Sequence, residues 1–159
     1  MINDIIKMIA ITFIPTLELR ASIPFGIFAT DLSWQIVFGV CIIANIIIGI
    51  IIYFLMELII KVLTMIPIIS RLWDNYVEKT QHKIQKGVDK YGEWAVAIFI
   101  GIPLPGSGVY TGALASYLIG LKFKKFIVAN IIGVLIAGII VTAICLTGAG
   151  VSNIFIKRM

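Results

Sequence analysis

Two apolar runs in this chain are cut at corresponding places, by Pro15-Thr-Leu-Glu18-Leu-Arg20-Ala-Ser-Ile-Pro24 and by Pro103-Leu-Pro105-Gly106-Ser107-Gly108. The apolar arms around them (about 5–14 and 22–30, then 94–102 and 108–121) are short. Ten residues of helix rise about 15 Å, half of a hydrocarbon layer about 30 Å thick. A long apolar stretch follows each break, at 35–62 and at 126–148, and reads as a full span. Two short arms joined by a break fit a re-entrant hairpin that enters and leaves on one side. Irregular backbone at that depth is tolerated only when protein covers it or a wet cavity faces it.

Composition supports a membrane setting. Hydrophobic residues make up 60% of the 159, charged residues 13%, and mean hydropathy is +1.09. So few charged side chains cannot form the polar shell of a soluble domain. The N-terminus lacks a long apolar segment with a small-residue cleavage site and is expected to be retained. Cys41 and Cys145 each stand alone in an apolar stretch, and His82 is the single histidine. No metal or redox spacing exists, so no metal, cofactor or enzymatic activity is expected.

Residues 67–93 differ from the rest. Lysines and acids alternate there with Trp73, Tyr76, Ile84 and Val88. This reads as an amphipathic connector on the membrane surface. Its interspersed acids argue against a nucleic-acid partner.

The halves can be overlaid. Ile43-Ala44-Asn45-Ile46-Ile47 recurs as Val128-Ala129-Asn130-Ile131-Ile132, an offset of 85. Ser22, Gly26 and Thr30 recur as Gly108, Gly112 and Ser116, an offset of 86. The expectation is one all-α membrane domain over 1–159, with repeats at 1–66 and 94–150 and the connector at 67–93. A hairpin crosses zero times and a span once, so the second unit must be inverted. The hairpin tips then meet from opposite faces, as in inverted-repeat transporters. The connector side collects nine basic residues and the other side Lys7, Lys157 and Arg158. By the positive-inside rule the connector is cytoplasmic and both termini lie outside, in a multi-pass plasma-membrane protein.

Glu18 and Arg20 are the candidate chemistry of the first break. Ionisable groups at bilayer depth are costly and mark function or pairing. On an extended segment these two share a face; on a helix they point apart. Arg20 can grip a phosphate or carboxylate through its planar fork. Glu18, partly desolvated, is expected to have a raised pKa and to carry a proton. The structural alternative is mutual neutralisation. In the second break, Pro105, Gly106, Ser107 and Gly108 carry no charge, but amides ahead of a helix offer a positive dipole end. An anion held between Arg20 and these amides is the expectation. Pro15, Pro24 and Pro103 shape the breaks, while Asn45 and Asn130 support them by hydrogen bonds between helices. The small residues spaced by four read as packing ridges.

The pairing of Glu18-Leu-Arg20-Ala-Ser-Ile-Pro24 with Pro103-Leu-Pro105-Gly106-Ser107-Gly108 resembles the small multidrug export protein family and, more distantly, DedA/VTT membrane proteins. The resemblance implies opposed re-entrant helices. The DedA likeness implies transport driven by the proton-motive force and flipping of lipid carriers such as undecaprenyl phosphate. By motif position Glu18 resembles the intramembrane acid and Arg20 the arginine of such breaks. The second break departs from the DedA pattern, having Ser107 and Gly108 and no arginine.

The leading expectation is a transporter or flippase of an anionic amphiphile such as a polyprenyl-phosphate (undecaprenyl-phosphate-like) lipid carrier. Arg20 and the second break would bind its head, and Glu18 would couple to protons. The alternatives are a proton-coupled exporter of cationic drugs and a structural membrane protein without transport. Membrane lipid is the expected partner, with a homo-oligomer enclosing the breaks.

Overall fold

The computed structural model describes residues 1–64, 93–104 and 106–156. All but Glu93 of the expected connector at 67–93, and Pro105, lie outside the described residues. Six helices are present among those described: α1 (Ile2–Thr12), α2 (Glu18–Ala29), α3 (Trp34–Thr64), α4 (Glu93–Gly101), α5 (Val109–Leu118) and α6 (Phe123–Ile156). The order short, short, long therefore occurs twice.

The boundaries follow local chemistry. At the end of α1, Thr12 turns its hydroxyl back to the Met8 carbonyl at 2.8 Å. Pro15, without an N–H and with a ring that obstructs the preceding turn, opposes continuation. Pro24 does not end α2, which runs through it to Ala29. The first break is therefore narrower than expected: Glu18 and Arg20 lie on the first turn of α2 rather than in an extended segment. At the end of α5, Gly120 takes φ +65°. Gly120 N donates to Tyr117 O and Leu121 N to Ser116 O, the double bond of a Schellman turn.

Helices α3 and α6 are the only described segments long and apolar enough to span a bilayer, at Trp34–Met56 and Phe123–Gly148. They pack on each other, and each also receives a short helix from the other half: α2 packs on α6, and α5 on α3. Met8, Ile23, Val37, Ile100, Val109, Phe126 and Val134 form part of the buried core. Around it the outer faces stay apolar; Ile43 is 60% exposed and Ile139 59%. A water-soluble monomer seldom presents apolar surface on this scale, whereas lipid covers it without cost.

Close approach of the arms needs glycine. A Cβ on Gly26 would lie 2.5 Å from Met8 of α1, and one on Gly112 would lie 2.4 Å from Ile100 of α4. These two glycines are equivalent at the offset of 86, and each lets the second arm of its hairpin press against the first. The small-residue ridges thus serve packing. Tyr53 fixes the far end: its hydroxyl donates to Leu121 O at 2.6 Å, and its ring stacks on Phe126 at 4.6 Å. The C-terminal half of α3 is thereby held beside the start of α6.

Candidate functional site

The two breaks touch, and the charges of the first serve the helix ends of the second. Glu18 is 3% exposed. Its Oε2 accepts from Val109 N at 3.2 Å and its Oε1 from Tyr110 N at 3.4 Å. Those are the first amides of α5, which has no acidic residue in its own first turn and no side-chain cap. A carboxylate there complements the positive end of the helix dipole. Glu18 does from another helix what a local N-cap ordinarily does.

Arg20 turns to the opposite pole. Its guanidinium donates to Leu104 O, to Ile102 O at 3.4 Å and to Ser107 Oγ at 2.9 Å. These carbonyls follow the C-terminus of α4, where a cation is favoured. The Ser107 hydroxyl lies between the Ile102 and Leu104 carbonyls. Being i and i+2 on a helical turn, the two charges point apart and clasp the two sides of one break. No ion pair joins them among the described residues.

Backbone strain marks both breaks. Thr16 has φ +74° and Glu18 φ +47°; Gly106 has φ +83° and Gly108 φ +117°. Left-handed backbone at a non-glycine residue costs about 1–3 kcal/mol and persists only where its surroundings enforce it. The same alternation, two residues apart, occurs in both breaks at an offset of 90. Glu18 is thus the conformational counterpart of Gly108, the residue its carboxylate rests against.

Of the supporting residues, Asn45 on α3 sets its amide beside the Glu18 carboxyl. Asn130 on α6 donates from Nδ2 to Ile46 O at 3.1 Å. Pro15 lies in the turn before α2, Pro24 inside α2, and Pro103 between α4 and Leu104. Gly106 and Ser107, with Phe99, Ile102 and Leu104, line a cleft of about 190 Å³ beside the Arg20 acceptors. Among the described residues no cluster of three or more His, Cys, Asp or Glu could hold a metal ion.

Sequence reasoning missed Val109 and Tyr110. It placed the available amides at 106–108, whereas the helix begins later and its first amides are bonded to Glu18. Tyr110 also ties the hairpins together, donating from its hydroxyl to Phe13 O at 2.5 Å. The available signal was an acid in one break facing, in the other, a helix start with no acid of its own.

A family model described as "Putative small multi-drug export protein" matches residues 18–140, from Glu18 into the body of α6. The chain belongs to this family. Together with the two apolar spans, membership makes it a membrane protein of a kind compatible with transport. Comparison with curated proteins and with solved structures gives no match.

Proposed function

We propose that this small multi-drug export family member moves an anionic amphiphile across the plasma membrane, with Glu18 as proton carrier. The observation that carries the reading is the Glu18 carboxylate on the first amides of α5. The chain's own anion occupies the first amides of α5, just past the expected 106–108 position, while Arg20 is turned to the carbonyls after α4. Burial disfavours the Glu18 charge, whereas the two amides and the charge of Arg20 favour it. A proton taken up by Glu18 weakens its hold on α5, and the anionic head of a substrate then replaces it. Arg20 supplies a permanent positive charge at the same break. Return of the carboxylate expels the head and releases the proton.

The mostly apolar cleft at Phe99, Ile102 and Leu104 suits the apolar part next to such a head. Phosphorylated lipid carriers of the polyprenyl type belong to this chemical class, and that preference, like the kinship with DedA-type proteins, rests on the resemblance of the breaks alone. In this reading α1–α3 and α4–α6 are inverted units whose hairpins meet near the midplane. The paired left-handed residues and the equivalent Gly26 and Gly112 support it. The cytoplasmic connector, the outward termini and a homo-oligomer belong to the same proposal.

The buried acid favours a second reading, in which Glu18 exchanges a proton for a cationic drug; Arg20 beside it opposes a purely cationic ligand. Reconstituted vesicles separate the readings. Uptake of a fluorescent anionic amphiphile that depends on a pH gradient and fails with Glu18→Gln and Arg20→Ala supports the first. Transport of a cationic dye that survives Arg20→Ala and fails with Glu18→Gln favours the second. Transport of both probes unchanged by either substitution defeats both, leaving the charges as a structural clasp.

A further inference from the structure

Among the described residues, four buried polar atoms have no hydrogen-bond partner: Asn45 Oδ1, Asn130 Oδ1, Ser116 Oγ and Thr142 Oγ1. The two hydroxyls can rotate toward a carbonyl of their own helix one turn back. The two amide oxygens have no such recourse, because they only accept. Asn45 is 1% exposed and Asn130 0%. Buried acceptors without donors are rare in folded proteins and point to a bound donor.

Both belong to the seam between α3 and α6. The Asn130 amide rests on Gly49, where a Cβ would lie 2.7 Å from Nδ2 and 2.8 Å from Oδ1. Its Nδ2 is committed to Ile46 O, which fixes the amide's orientation. Asn45 lies four residues before Gly49, on the same face of α3 and about 6 Å along it. At its other side Asn45 meets Glu18. One stripe of the seam therefore carries a carboxylate and then two amide oxygens, in the order Glu18, Asn45, Asn130. The nearby donors are engaged: the Val109 and Tyr110 amides by Glu18, and Asn130 Nδ2 by Ile46 O.

We propose that this seam binds water, donated to Asn45 Oδ1 and Asn130 Oδ1, as the inner end of a proton route to Glu18. The inference rests on the reading of Glu18 as a proton carrier. Water suits the seam because each molecule brings two donors to a stripe whose unpaired groups are acceptors. A metal cation is the competing occupant of the same oxygens. The charged and titratable groups set against Glu18 among the described residues are Arg20 from its own helix and Tyr110 from α5. Arg20 is turned to the Ile102 and Leu104 carbonyls, and the Tyr110 hydroxyl donates to Phe13 O. Neither delivers a proton to the carboxyl. Asn45, the contact from α3, has no titratable proton and acts by orienting water.

Infrared spectroscopy of the full chain in vesicles tests this. The C=O band of protonated Glu18, identified by its loss in Glu18→Gln, shifts when H2O is replaced by D2O. The wild type should exchange within the mixing time. Asn130→Leu, which removes the acceptor, should slow exchange at least about tenfold, corresponding to about 1.4 kcal/mol of barrier. Gly49→Ala should do the same while keeping both amide oxygens, because its Cβ displaces the Asn130 amide; it serves as the test where the leucine variant fails to fold. A Glu18 band whose exchange ignores both substitutions sinks the water route alone. Slowed exchange and a raised melting temperature in sodium, against choline at equal ionic strength, would identify a metal cation and overturn the proposal. The absence of a Glu18 band at any pH would remove the proton-carrier reading and this inference together.

Discussion

The Glu18 carboxylate lies on the bare Cα of Gly108: a Cβ there would stand 2.4 Å from Oε2 and 2.7 Å from Oε1. The two residues occupy the same conformational slot in successive breaks, with φ +47° and +117°. One fills the slot with charge and the other leaves it empty for that charge.

Gly108→Ala should therefore be far more damaging than Gly106→Ala. Both take a positive φ, a strain of about 1–3 kcal/mol for a side-chain-bearing residue. Gly106 has open space around it, whereas alanine at 108 also collides with Glu18. The expected losses are about 1–3 kcal/mol at 106 and about 2–5 kcal/mol at 108. Denaturant unfolding in mild detergent measures both, and equal losses would contradict the contact.

Substitution at Glu18 should separate stability from transport. Glutamine keeps an acceptor for α5, so the fold should survive with a loss of about 1 kcal/mol while proton-dependent transport disappears. Alanine leaves the buried Val109 amide and the part-buried Tyr110 amide unpaired and should cost about 1–3 kcal/mol for the first and less for the second. Comparing melting temperature with vesicle uptake for the pair reads out both roles.

Arg20→Lys should behave nearly as poorly as Arg20→Ala. The guanidinium reaches two carbonyls and a hydroxyl at once. A lysine ammonium is a point charge without that planar fork. Either change should destabilise by about 1.5–3 kcal/mol, the range for a charged hydrogen-bond donor. Full stability of the lysine variant would show that charge alone suffices.

Glycines in the helices should divide by their surroundings. Gly112→Ala meets Ile100 at 2.4 Å and should cost about 1–3 kcal/mol. Gly39→Ala meets nothing within 4 Å and should stabilise by up to about 1 kcal/mol through helix propensity. Paired unfolding curves check the opposite signs.

Single cysteines report the topology. The Tyr53–Leu121 bond places the C-terminal half of α3 beside the start of α6. Lys61→Cys and Lys122→Cys should label from one side of the membrane and Asp31→Cys from the other. Labelling of Asp31→Cys together with Lys122→Cys would rule out α3 as a span.

The scarcity of charge and the length of the apolar runs already point to two helices long enough to span a bilayer and to four shorter ones, since apolar runs fold as helices whose length is set by where proline, glycine and charge fall. The breaks are legible because proline opposes continuation of the turn before it, as at Pro15 and Pro103, although Pro24 is carried inside α2. Family membership is legible in the same residues. Partner choice is not. Sequence spacing suggests that Glu18 and Arg20 face one ligand together, yet a helical first turn sends them to opposite poles of the other hairpin, Glu18 to amides and Arg20 to carbonyls. Sequence overlay aligns the repeats at an offset of 85 or 86, whereas the strained backbone aligns Glu18 with Gly108 at 90. Contacts across more than eighty residues depend on where α3 and α6 cross and on how closely Gly26 and Gly112 let the arms approach. Only the assembled helices set those distances, and with them the fact that the buried acid of one break caps the helix of the other.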